Sequence, residues 1–305
     1  MISFRYHVVS LVAVILALAV GIVVGTTALN GPITSDLRHQ VDGLKKDRAD
    51  LANQVKILQG NVDTAGQFAT TFGTQLVADS LKDQSVLVVA LPGTSSGMVD
   101  GIGNELTAAG AKITGKLELS NGFIDPGQAD AVLGLATGSS RPMDITLPEH
   151  TSDSRVLQAA MLAFVLTGNG QASDLKTVLS GFSGLHMISS DPSGIEPAKN
   201  IVVLGSGAHP HDDYAGGAEL DLVTALSGHG GKVLVAGDSG SAQNNGVIAG
   251  VRNGPAKSTV STVDDADTAF GQVSTALAMA GAINSQVGHY GTAAGAQALF
   301  PTTSK

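Results

Sequence analysis

Residues Val8 to Val24 run without a charged side chain or a proline, inside a stretch from Tyr6 to Ser35 that holds no Asp, Glu, Lys or Arg. About 20 apolar residues, rising about 1.5 Å each, cross a hydrocarbon core of about 30 Å. The run therefore predicts a single transmembrane helix at 8–29, preceded by a short tail at 1–7. Ala13, Ala17, Gly21 and Gly25 recur at every fourth position on one face. In lipid, such a face lets two helix backbones approach closely, so these four residues are the expected helix-association surface. The abundance of Gly and Ala in the chain accounts for the same pattern without association.

A cleaved signal peptide is the rival reading, because Arg5 precedes the run and Thr26-Thr27-Ala28 imitates a small-residue cleavage site. The run is longer than a signal core of about 7 to 15 residues, which favours the anchor. Basic residues flank both ends, Arg5 on one side and Arg38, Lys45, Lys46 and Arg48 on the other. The positive-inside count thus sets no orientation.

A heptad follows at 30–84. With Leu37 at d, the d positions are Leu37, Leu44, Leu51, Leu58, Ala65 and Phe72, and the a positions are Val41, Arg48, Val55, Val62, Ala69 and Leu76. β-Branched a residues with Leu at d favour a parallel two-stranded coiled coil, and Arg48 in the seam would fix its register. An amphipathic helix lying on its own domain shows similar spacing, usually with a wider stripe. Asn30-Gly31-Pro32 reads as the break from the membrane helix, and Gly60, Gly66 and Gly73 weaken the later heptads. The expected partners are the membrane and further copies of the chain, as a homodimer or higher homo-oligomer through both helices.

Beyond Gln84 the composition changes. The first 84 residues carry seven basic and seven acidic side chains, so the remaining 10 Lys and Arg against 19 Asp and Glu account for the net charge of −9. An acidic surface of this kind excludes nucleic-acid binding, which needs clustered cations. The absence of cysteine excludes disulfides and thiolate metal sites.

Strand-sized apolar runs alternate with helical ones over 85–290, predicting a Rossmann-like, doubly wound α/β ectodomain. Ser85 to Leu91, Lys112 to Leu119, Asn200 to Leu204 and Lys232 to Ala236 read as strands, and Ala129 to Leu135 as a further one. Helices are expected up to Ala109, at Ser152 to Thr167, at about Tyr214 to Ser227 and at Asp265 to Ile283. The tail at 291–305 reads as poorly ordered or peripherally docked.

Three glycine-rich turns follow strands, at Pro92 to Gly97, Gly205 to Gly207 and Gly237 to Ser241. None has the Gly-Lys-Ser/Thr of a phosphate loop, and Pro210 stands where a dinucleotide fingerprint needs its third glycine. Tight turns need glycine whether or not a ligand binds. Gly237-Asp238-Ser239-Gly240 imitates a nucleophile motif, but no histidine can be assigned to Ser239, so neither an enzyme nor a cofactor is expected.

His209-Pro210-His211-Asp212-Asp213 is the one stretch with metal chemistry, in which His209, His211, Asp212 and Asp213 are the candidate ligands. Imidazole with oxygen donors suits Cu(II) or Zn(II), whereas Cu(I) prefers sulfur. The alternative is a polar loop in which Asp212 or Asp213 caps the next helix. Met143, Met187 and His186 are the only other metal-binding candidates, and nothing in the sequence brings them together.

The opening Met1-Ile2-Ser3-Phe4-Arg5-Tyr6-His7-Val8-Val9-Ser10-Leu11, continued through Ala17 to Gly25, resembles the start of the actinobacterial copper transport protein B family, MctB. The order of helix, coiled coil and Gly-rich α/β region is also that family's, and Gly288-His289-Tyr290-Gly291 resembles a C-terminal motif of it. The resemblance implies a cell-envelope protein of copper resistance, a pore-forming component of an outer membrane that keeps internal copper low, with copper as the transported or bound ion. It supplies no ligand residues. An outer-membrane barrel needs strands of about 9 to 11 residues and aromatic girdles, whereas this chain has three Tyr and no Trp. A pore would need assembled copies. Against this copper-transport reading stands a membrane-anchored coiled-coil scaffold that binds an envelope partner.

Overall fold

The computed structural model describes residues 4–30, 32–148, 152–209 and 211–302, with backbone alone for 27–30 and 32–36. The chain divides into two units between Thr64 and Ala65. In the first, helix α1 (Phe4–Asn30) contains one segment, Phe4–Thr26, long and apolar enough to cross a membrane. Helix α2 (Pro32–Val77) opens on the proline, whose missing N–H costs nothing at a first helical position. Gly31, the centre of the expected break, lies outside the described residues. The seam residues Leu37, Val41, Leu44, Leu51, Val55, Leu58 and Val62 are all exposed on the single chain.

The second unit begins with the end of α2. Ala69, Gly73, Val77 and then Leu81 are buried at every fourth residue, while the seam residues Phe72 and Leu76 stay exposed. A methyl group at Gly73 would lie 2.6 Å from Val273 Cγ2, so the glycine admits close contact with the domain. Gly60 and Gly66 have no such neighbour.

Six parallel strands follow, β1 (Ser85–Ala90), β2 (Lys112–Glu118), β3 (Asn200–Gly205), β4 (Lys232–Gly237), β5 (Ser261–Val263) and β6 (His289–Tyr290). Their order is β2-β1-β3-β4-β5-β6, a doubly wound sheet whose winding reverses between β1 and β3. Alternate strand residues serve two cores. Leu87, Val89, Ile201, Val203, Val233 and Val235 face α4 (Ala129–Thr137), α5 (Ser154–Leu166), α6 (Ala172–Gly184), α7 (Asp213–Gly228) and α8 (Val247–Asn253). Val86, Val88, Val202, Leu204, Leu234 and Ala236 face α3 (Ser96–Ala108), α9 (Ala269–Ile283) and Val77 of α2. Burial on both faces is why β1, β3 and β4 are apolar runs.

The segment from Ala129 to Leu135, expected as a strand, is helix α4. Its apolar residues are mostly good helix formers, Asp130 sits favourably in the first turn, and Val132 and Ala136 share the buried face at helical spacing. The elements α6, α8, β5 and β6 have no counterpart in the sequence reading. Residues after Gly291 dock on the sheet edge: Gly291 N donates to Ala298 O at 3.0 Å, and the Phe270 and Phe300 rings meet edge to face at 5.9 Å.

Candidate functional site

The loop between β3 and α7 separates the four candidate metal ligands by their hydrogen bonds. Asp212 Oδ1 accepts from Tyr214 N at 3.1 Å and Ala215 N at 3.0 Å, so it caps α7. Asp213 Oδ1 accepts from Asn245 Nδ2 at 2.8 Å. His211 is exposed. His209 turns inward, where its Nε2 lies 3.1 Å from Oε1 of Glu219, and its backbone N donates to Asn245 O at 3.4 Å. Pro210 lies outside the described residues. Among the described residues, no group of three or more His, Cys, Asp and Glu is assembled to hold a metal ion.

Glu219 is the residue that sequence reasoning missed. It sits on the buried face of α7 with Ala215, Ala218, Leu222, Val223 and Leu226. Burial pushes its carboxyl up to about 7, against the opposing pull of His209. A carboxylate on an apolar helical stripe calls for a cation nearby, and that was the available signal. Met187 is buried in the core and Met143 is 94% exposed, so these two thioethers occupy opposite environments.

The glycine turns at the ends of β3 and β4 are tied to each other. Asp238 accepts from Ser206 Oγ at 2.6 Å, Gly207 N at 2.9 Å and Ser241 N at 2.9 Å. Burial alone would raise this carboxyl, but the hydrogen bonds outweigh it and hold it below its ordinary value. Ser239 is exposed.

Gly288-His289-Tyr290-Gly291 forms the sheet edge. His289 is buried, with Nδ1 3.0 Å from Thr262 Oγ1 and Nε2 3.1 Å from Lys257 O, and burial lowers its pKa. Arg252 donates to Thr262 Oγ1 at 2.9 Å, Ala294 O at 3.0 Å and Tyr290 O at 2.8 Å. Side chains at the glycines would collide, with the Tyr290 ring at Gly288 and with the Asp264 carboxylate at Gly291, whose φ is +120°. Each member of the motif thus has a packing role.

On α1, Ala13, Ala17 and Gly21 are exposed, and beyond the helix's own neighbouring backbone nothing lies within 4 Å of a Cβ built at Gly21 or Gly25. Arg48 on α2 is likewise exposed.

Known proteins match this chain along nearly its whole length. A protein of Mycobacterium tuberculosis (strain ATCC 25618 / H37Rv) named copper transporter MctB is 29% identical over 310 residues, covering 98% of this chain and 99% of its own. The protein of the same name from Mycobacterium leprae (strain TN) is 27% identical over 314 residues, with the same coverage. Residues 1–301 match the family described as copper transport outer membrane protein, MctB, and the chain belongs to that family.

Proposed function

We propose that this is a copper-homeostasis protein of the cell envelope, anchored by α1 with its α/β domain outside the cytoplasm, that helps keep internal copper low. The observation that carries the reading is the family match over 1–301, which takes in the anchor, the long helix and the α/β domain alike. The relatives matched over nearly their whole length are named copper transporters. The family's description favours an outer membrane as the place of that anchor.

One span of apolar helix cannot enclose an aqueous path, and among the described residues the longest strand, β2, has seven residues, short of the about 9 to 11 that cross a bilayer. A pore, in this reading, is built from an assembly of copies. The open face at Ala13, Ala17, Gly21 and Gly25 and the exposed seam from Leu37 to Val62 supply two surfaces for that assembly, with Arg48 setting register. The same exposed seam favours a second reading, a membrane-anchored scaffold that holds an envelope partner without moving copper. Deleting the gene and measuring cell copper separates them. Raised copper supports transport; unchanged copper with altered envelope assembly supports the scaffold.

A further inference from the structure

The carboxyl of Glu105 on α3 lies under the end of α2. A methyl group built at Gly73 would stand 3.9 Å from each of its two oxygens and 2.6 Å from Val273 Cγ2 of α9, so the glycine seats the α2 backbone against both helices. Ala69 and Val77, one helical turn to either side of Gly73, are buried. The glutamate as a whole is half-buried, but its Oε2 is shut off from water and, among the described residues, has no hydrogen-bond partner. A buried carboxylate oxygen left in this way is tolerated in the neutral acid and penalised in the anion.

The surroundings supply no charge to offset that penalty. α2 from Ala65 to Val77, α9 and β1 carry no ionisable side chain. On α3 itself the other acid is Asp100, which Lys116 of β2 holds at 2.7 Å, and Lys112 of β2 pairs with Glu196 at 3.0 Å. Glu118 closes β2 at the far end of the strand. Asp79, Lys82 and Asp83 lie in the turn from α2 to β1, past the C-terminal end of α3, where Leu81 N donates to Ala109 O at 2.9 Å. Burial alone moves the Glu105 carboxyl, upward from its ordinary value.

We propose that Glu105 is a proton-sensitive clasp for the end of α2: neutral in acid, it leaves the helix seated on α3 and α9, and its charge loosens that seat as the pH rises. The sign follows from linkage. A seated helix strengthens the hold of the carboxyl on its proton, so the proton strengthens the hold of the domain on the helix. The gain is complete below the ordinary 4.5 and is lost as pH rises through the higher value of the seated state. Because the neighbouring faces are uncharged, one residue carries the response.

The test is hydrogen exchange of the full-length protein in detergent micelles between about pH 4.5 and 7.5, corrected for the intrinsic rate of each amide, with β3 reporting the opening of the whole domain. Opening of 69–77 should rise across that range at least about threefold more than opening of β3. Glu105→Gln, neutral and of the same shape, should abolish the excess and keep 69–77 as protected at every pH as the parent is in acid. Glu105→Ala should likewise lose the excess and replaces the Gln variant where that one does not fold. Glu219→Gln, which alters the pH response of the domain as a whole, should leave the excess as it is. Opening of 69–77 that follows β3 at every pH, an excess that persists without the Glu105 carboxyl, or one that vanishes in Glu219→Gln overturns the clasp.

Discussion

Arg252 Nη1 and Asp264 Oδ2 meet at 2.8 Å with side-chain exposures of 2% and 0%, and this buried ion pair ties the C-terminal segment to the sheet. The guanidinium also donates to the carbonyls of Tyr290 and Ala294, while the other oxygen of Asp264 accepts from Thr292 N and Ala293 N at 2.8 and 3.1 Å. Removing one partner strands the other charge in the interior. Arg252→Met should cost about 3–5 kcal/mol and expose the segment after Gly291 to protease. A melting temperature within a degree or two of the parent, with the tail still protected, would contradict this.

The docking of α2 on the domain rests on the space at Gly73. Gly73→Val should destabilise the protein by about 1–3 kcal/mol, because the side chain must displace Val273. Gly60→Ala, where nothing lies within 4 Å, should instead stabilise by about 0.5–1 kcal/mol through helix propensity. Chemical denaturation of the two variants reads the contrast directly.

Glu219 makes stability depend on pH in a defined direction. Its folded value of about 7 stands above the ordinary 4.5, so the folded state holds this proton more tightly than the unfolded chain does. The group is favourable to folding below about 4.5, and stability falls as pH rises from there to about 7, by up to about 3 kcal/mol. Glu219→Gln should flatten that limb and be the more stable protein at pH 8. Parallel curves for the two proteins between pH 5 and 8 would contradict the assignment.

Much of this architecture was readable in advance, for a physical reason. Strands β1, β3 and β4 are buried on both faces, so they read as apolar runs, the latter two ending at Gly205 and Gly237. Ala129 to Leu135 misled because a short apolar run has no period long enough to separate strand from helix. β5 and β6, of three and two residues, carry no pattern at all. The stripe Ala69, Gly73, Val77 is made of small residues that look like a failing heptad, although they are a contact surface. At the candidate site, His209 was visible as a donor, but Glu219 is brought to it only by the turn into α7.

Assembly has its own test. Gly21→Leu with Gly25→Leu should weaken association of α1 by blocking close backbone approach, and Leu44→Asp with Leu51→Asp should abolish pairing through α2. Sedimentation in detergent and cysteine crosslinking at single seam positions measure both. A parent protein that is monomeric at micromolar concentration, or crosslinks only in antiparallel pairs, would remove the parallel seam.

The most direct measurement of the central claim is copper flux across vesicles that carry the purified full-length protein and no other. Copper movement that saturates, exceeds that of empty vesicles and falls when α1 association is blocked is the predicted result. Flux equal to that of empty vesicles, with the protein folded and inserted, would contradict copper transport and leave the anchored scaffold.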